Sequence, residues 1–236
     1  LKINNVTYLG SGWSLFGGYS LNILKNFSLN RLSNSVLPHV RSDINEYLVY
    51  GDTGLESLYL QKQSNISDEI FYRIYAGILE DMYAGFGAEV LYQPFRSRFA
   101  YAFTLNAVQK RDFRKNLKLM DYKTITSIIS IYYASPFYNY DFAVHAGRYL
   151  AKDRGYTLEA RRTFDNGFSI GAFATFTNVS ASDFGEGSFD KGLFFKIPFN
   201  RFSSMNTKRS FSTYVRSIQR DGGQKLNDFT GRLWFD

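Results

Sequence analysis

The chain has no cysteine, two histidines and four prolines, and no apolar run approaches the roughly 20 residues that a membrane helix needs. Without cysteine, disulfides and thiolate metal sites are excluded, and the redox compartment stays open. His39 and His145 lie far apart, with no second ligand at metal-binding spacing, so neither a zinc centre nor a Ser-His-Asp triad has a basis. No catalytic residue, metal or cofactor is expected. A helical membrane protein is excluded too, but a transmembrane barrel is not. In a barrel only alternate strand residues meet lipid, and mean hydropathy stays as low as the slightly negative value found here. The chain begins at Leu1 with no basic or apolar leader, and it reads as a mature form or a fragment.

Aromatic residues are abundant, at 18% of 236 positions, and many fall in runs where apolar and polar residues alternate. Residues 155–178, GYTLEARRTFDNGFSIGAFATFTN, show the pattern best. Two strands flank Asp165-Asn166-Gly167, a turn whose Asn and Gly tolerate the positive φ of a tight hairpin. Phe168, Ile170, Ala172, Ala174 and Phe176 share one face; Ser169, Gly171, Thr175 and Thr177 share the other with Phe173. In the first strand Glu159 and Arg161 point the same way from mid-strand, which a packed soluble core rarely accepts.

The same reading along the chain predicts strands at 12–24, 55–64, 69–79, 83–93, 97–110, 124–134, 140–150, the hairpin pair, 191–199, 210–220 and 226–235, twelve in all. Most are 9 to 12 residues long, longer than usual globular strands and matched to a tilted bilayer crossing. A short helix is expected over 42–50, with Ser42 or Asp43 as N-cap and Gly51 as the stop. Long connections near 25–54, 111–123 and 179–190 alternate with tight turns, the asymmetry of an outer-membrane barrel. The tight turns and both chain ends are placed in the periplasm. The fold class expected is therefore all-β: one antiparallel up-and-down transmembrane β-barrel of about twelve strands over 1–236. Tyr92, Tyr133 and Tyr156 suit its interfacial girdle. A soluble sandwich or lipocalin-like barrel, with the Phe-rich face as core, is the rival architecture.

The formal charge of +7 suggests polyanion affinity. Nucleic acid is set aside because the aromatics keep strand spacing rather than forming a stacking platform. Arg148, Lys152, Arg154, Arg161 and Arg162 gather at one long-side connection, and Lys110, Arg111, Arg114, Lys115 and Lys118 at another. These are candidate rim contacts to an anionic polysaccharide or to lipopolysaccharide phosphates. Arg73, Glu89, Glu159 and Arg161 are aimed inward by strand parity, either to line a water-filled lumen or to form an internal salt-bridge ladder. The glycine-rich stretch 185–192 lacks the GK[ST] ending of a phosphate loop, and Asp183, Glu186 and Asp190 do not fit EF-hand spacing. The closing residues 227–236 alternate Phe229, Gly231, Leu233 and Phe235, like the C-terminal insertion signal of outer-membrane barrels, except that Asp236 follows the aromatic.

The runs GRYLAKDRGYTLEARRTFDNGFSIGAFATFTN and FGEGSFDKGLFFKIPF resemble the YjbH/GfcD family of outer-membrane proteins tied to exopolysaccharide and capsule secretion. So do LPHVRSDINEYLVYGDTGLESLYL at 37–60 and GAEVLYQPF at 87–95. The likeness covers most of 37–200 in order and spacing. Family chains are longer, so the resemblance implies the C-terminal barrel portion of such a chain, located in the outer membrane. It also implies a part in polysaccharide export or surface assembly, as pore or as scaffold for other secretion components, with no catalytic residues to carry over. A passive porin and a soluble glycan- or lipid-binding β protein are the alternatives.

Overall fold

In the computed structural model, residues 1–23, 35–180, 189–198, 210–216 and 221–235 are described. Period-two alternation over so much of the chain leaves one economical solution, an up-and-down meander, and that is what forms. Twelve strands pair antiparallel in sequence order. They are β1 (Lys2–Gly10), β2 (Trp13–Ser20), β3 (Gly54–Ser67), β4 (Ile70–Ile78), β5 (Tyr83–Tyr92), β6 (Phe99–Arg111), β7 (Leu119–Ala134), β8 (Tyr140–Arg148), β9 (Arg154–Thr163), β10 (Ser169–Thr177), β11 (Asp190–Pro198) and β12 (Ser210–Arg216). Among the described residues β1 and β12 are the two edges and do not pair, so the sheet is curled but not closed. The expected helix is α1 (Ile44–Tyr50), with Asp43 in the N-cap position and the Gly51 N–H closing on the Tyr47 carbonyl. A second helical turn, α2 (Arg232–Phe235), ends the described chain.

The strand number matches the expectation through two differences that cancel. β1 was not expected: its sequence, KINNVTYLG, presents no apolar face, and all nine residues are exposed. Conversely, residues 226–235 form no strand. Their alternation is real, but Asp228 (φ 57°) and Gly231 (φ 76°) sit in the left-handed region, where extended pairing stops. The barrel insertion signal expected at 227–236 is therefore absent as a strand. β7 also starts at Leu119 rather than 124, lengthening the β6–β7 hairpin.

Short turns at 11–12, 68–69, 93–98, 135–139 and 164–168 lie at one end of the sheet, and the connections 21–53, 112–118 and 178–189 at the other. The Leu21 N–H donates to the Leu1 carbonyl at 2.7 Å, so β1 starts at the long-connection end, and β12 finishes there as well. The expected placement of the N-terminal end beside the tight turns is corrected accordingly, whereas the last described residues, around Trp234, do lie at the tight-turn end.

The two faces differ in kind. On β6, Phe99, Tyr101, Phe103 and Leu105 are exposed on the convex side, while Ala100, Ala102, Thr104 and Asn106 are buried on the concave side. On β7, Ile125, Ile129 and Ile131 face out while Thr124, Thr126, Ser130 and Tyr132 are buried. Large apolar side chains thus cover the outside, and polar ones fill the inside, the reverse of a soluble core.

At Gly77 (φ 135°) a Cβ would stand 2.4 Å from the Leu58 carbonyl oxygen, whereas at Gly17 it would meet nothing within 4 Å. Gly77→Ala is expected to destabilise by about 1–3 kcal/mol. Gly17→Ala should leave the unfolding temperature near wild type, with circular dichroism melts in detergent as the measurement.

Candidate functional site

The concave side is occupied by the chain's own C-terminal segment. A buried stretch without sheet partners must satisfy its backbone elsewhere, and residues 221–235 do so at successive depths. At the long-connection end, Asp221 Oδ1 accepts the N–H groups of Val40, Arg41 and Ser42 at 2.8, 2.7 and 3.0 Å. The Gly223 N–H donates to Asp153 at 2.7 Å, the Leu150 N–H to the Gln224 carbonyl at 2.9 Å, and the Gln224 amide to Asp190 at 2.8 Å. One turn deeper, Arg41 donates to the Lys225 carbonyl at 2.7 Å and grips Glu80 at 2.5 and 3.1 Å. Glu80 in turn accepts the Asn227 N–H at 2.9 Å.

Half-way down, Arg73 and Glu89 face each other across β4 and β5, where their Cα atoms are register partners. Their side chains meet at 2.7 Å with both fully buried. Neither group completes its hydrogen bonding within the sheet. Arg73 Nη2 donates to the Asp228 carbonyl at 3.1 Å, and Glu89 Oε1 accepts the Gly231 N–H at 3.0 Å. The Phe229 ring lies between, 4.5 Å from Tyr75 and 5.3 Å from Tyr59, with the Arg73 guanidinium 5.5 Å from its centroid. At the far end Trp234 stacks on Tyr132 at 5.2 Å and 12°. The segment runs the depth of the sheet and fills it.

All four inward candidates lie on this concave side. Arg73 and Glu89 form the pair just described, and Arg161 sits 3.4 Å from Glu159, which also approaches His145 at 3.8 Å. They bound a filled interior, so none lines an open channel. Ser130 Oγ lies 2.8 Å from His145 Nδ1, but both residues are fully buried and no reactant can reach them. Among the described residues no group of three or more His, Asp or Glu side chains could hold a metal. Asp183 and Glu186 lie outside the described residues, and Asp190 is engaged by Gln224.

Three rim candidates are corrected. Arg111 is fully buried and donates to the carbonyls of Leu55, Glu80, Asp81 and Asn116 at 2.9 to 3.1 Å, tying the start of β3 to two connections. Lys115 is buried against Glu56 at 2.6 Å. Lys110 likewise pairs with Asp43 beneath α1. Arg114, Lys118, Lys152 and Arg154 are exposed, and Arg148 is half-exposed. Sequence reasoning missed Arg41, Glu80, Asp153, Asp221 and Trp234. Their partners lie up to 181 residues away, and no local pattern carries such a signal.

Outside the strands, burial pushes the Asp153 carboxyl up, only partly offset by the Gly223 N–H. For His39 burial alone would lower the imidazole, but Ser35 and Asp43 accept from its two ring nitrogens at 3.1 and 2.8 Å and raise it overall.

Residues 1–234 match the family model described as "Exopolysaccharide biosynthesis protein YbjH". The chain is also 37% identical over 218 residues to the Escherichia coli (strain K12) protein named "Uncharacterized lipoprotein YjbH". That alignment covers 90% of this chain and 31% of the relative, so the chain spans about a third of the relative's length.

Removing one member of the Arg73–Glu89 pair strands a buried charge. Arg73→Met and Glu89→Leu are each expected to cost about 3–5 kcal/mol, and the double variant less than their sum. Denaturant titrations of the three variants measure the coupling. For His39 the raised pKa means its stabilisation is fully present below about 6.5 and is lost as pH rises through the folded-state value. Melts of wild type and His39→Gln from about pH 6 to about pH 8 should therefore converge at the alkaline end.

Proposed function

Because the chain belongs to the YjbH family of exopolysaccharide biosynthesis proteins, we propose that it is a non-enzymatic outer-membrane β-barrel. It takes part in export or surface assembly of an exopolysaccharide or capsule, as a scaffold for other secretion components rather than as the conduit. The observation that carries this reading is the inverted distribution of side chains. Phe86, Phe103, Ile125, Ile129, Val144 and Leu158 are exposed on the convex face, opposite Arg73, Glu89, Asn106, Thr126 and Thr157 on the buried face. Water offers no reason to expose the first set, whereas lipid does. The name of the Escherichia coli relative, a lipoprotein, supports an envelope membrane. No helix among the described residues is long and apolar enough to cross a membrane.

Scaffold is favoured over pore because residues 221–235 occupy the interior through which a polymer would pass. Lipid contact has its own local support. A hollow on the convex side is floored by Phe86, Ala107 and Ile125 and ringed by Lys123, Arg148 and Lys152, which suits an acyl chain beneath a phosphate, as in lipopolysaccharide.

The decisive measurements are extraction and conductance. The protein is expected to require detergent and to show heat-modifiable gel mobility. In planar bilayers it should conduct little until Glu80→Ala, which frees the Asn227 N–H and Arg41, raises the open probability. A chain that stays soluble without detergent and shows no heat-modifiable mobility is a soluble β protein; large steady wild-type conductance makes it a porin.

A further inference from the structure

The interior is filled over most of its depth, but at the tight-turn end a cavity of about 270 Å³ stays open. Its lining comes from the ends of four successive strands, with Asp141 of β8, Arg161 and Thr163 of β9, Ser169 of β10 and Lys196 of β11, closed by Trp234 of α2. The register explains the grouping: Asp141 pairs with Arg161, Thr163 with Ser169, and Ser169 with Lys196, so one patch of inner wall collects all of them.

The chemistry is specific. Arg161 lies 5.0 Å over the Phe194 ring, which orients the guanidinium plane. Lys196 is half-buried and forms no ion pair among the described residues. Arg161 already holds Glu159 at 3.4 Å, so it is the added Lys196 ammonium, without a carboxylate of its own among the described residues, that favours a further anion here. Asp141 supplies a carboxylate acceptor and, with Ser169 and Thr163 hydroxyls 3.0 Å apart, matches a ligand bearing hydroxyl donors. Trp234 presents an indole whose position is fixed by stacking on Tyr132, a surface suited to the apolar face of a pyranose ring.

From this arrangement we infer a binding site for an acidic sugar, a pyranose unit carrying a carboxylate, at the tight-turn mouth of the protein. The carboxylate sits between Arg161 and Lys196, the ring lies against Trp234, and its hydroxyls donate to Asp141. A monoanionic carboxylate is favoured over a phosphate because Asp141 shares the cavity and repels a dianion more strongly. The volume, just below the usual range of ligand pockets, admits a single ring rather than a length of polymer. The site rests on the exopolysaccharide reading for its biological meaning but not for its chemistry.

Only Trp13, on the convex face, and Trp234 can fluoresce as indoles, so the Trp13→Phe protein reports on Trp234 alone. Titrating that protein in detergent with trigalacturonate should give a saturable change in emission, while the neutral trisaccharide maltotriose gives none. Lys196→Ala should weaken binding on the order of tenfold, and Lys196→Arg should restore most of it. Heat-modifiable mobility of each variant shows that it is folded. An equal response to maltotriose, a response to inorganic phosphate as strong as to trigalacturonate, or folded Lys196→Ala binding like wild type would each overturn the assignment. Loss of the pocket leaves the membrane and conductance results untouched, and a soluble chain that still binds trigalacturonate would overturn the export reading alone.

Discussion

The Arg73–Glu89 ion pair sits at the middle of the concave face with neither side chain reaching solvent, and the structure around it follows from the need to keep it satisfied. Two opposite charges at 2.7 Å attract strongly in a low-dielectric interior, yet taking both out of water costs several kcal/mol per ion. The donors and acceptors that the pair leaves over therefore need partners, and every nitrogen of the guanidinium except Arg73 Nη1 finds one. These partners come from the Asp228 carbonyl and the Gly231 N–H, both on a segment more than 140 residues away in sequence. The left-handed backbone at Asp228 and Gly231 is what turns those groups toward the wall.

The same constraint recurs along the whole segment. Asp221, Gly223, Lys225 and Asn227 each exchange a hydrogen bond with a residue of a long-side connection, so the connections and the filling segment hold one another. Arg111 performs the equivalent task at the base of those connections, donating to four carbonyls. An interior of this kind is specific and stiff rather than greasy. It suits a part that holds its shape under an apolar exterior, and it leaves free chemistry only where the segment stops, beside Trp234.

Much of the architecture was legible because alternation is a local property. Phe99, Tyr101 and Phe103 separate from Ala100, Ala102 and Thr104 with no knowledge of their neighbours, and the Asp165-Asn166-Gly167 turn announces its hairpin by residue chemistry alone. The errors fall where that locality fails. β1 is a strand only because β2 is there to pair with it; its own residues show no apolar stripe. Residues 226–235 alternate as a strand would, but their backbone is claimed by Glu80, Arg73 and Glu89 before any neighbour can pair. Lys115 and Arg111 read as rim charges because a loop cation is usually solvated, and only the fold brings Glu56 and four carbonyls to them.

By itself, then, the sequence determined the class of structure, the direction of nearly every strand face, the short helix before Gly51, and the absence of thiolate chemistry. Each depends on residue type and spacing of two or four. Which charges are buried, whether the interior is open, and where a ligand could sit were decided by tertiary structure. Those properties depend on contacts between residues as distant as Val40 and Asp221, and on a closing segment whose conformation is set by the wall it meets. A period of two can say that Arg73 points inward. It takes the folded chain to say what Arg73 finds there.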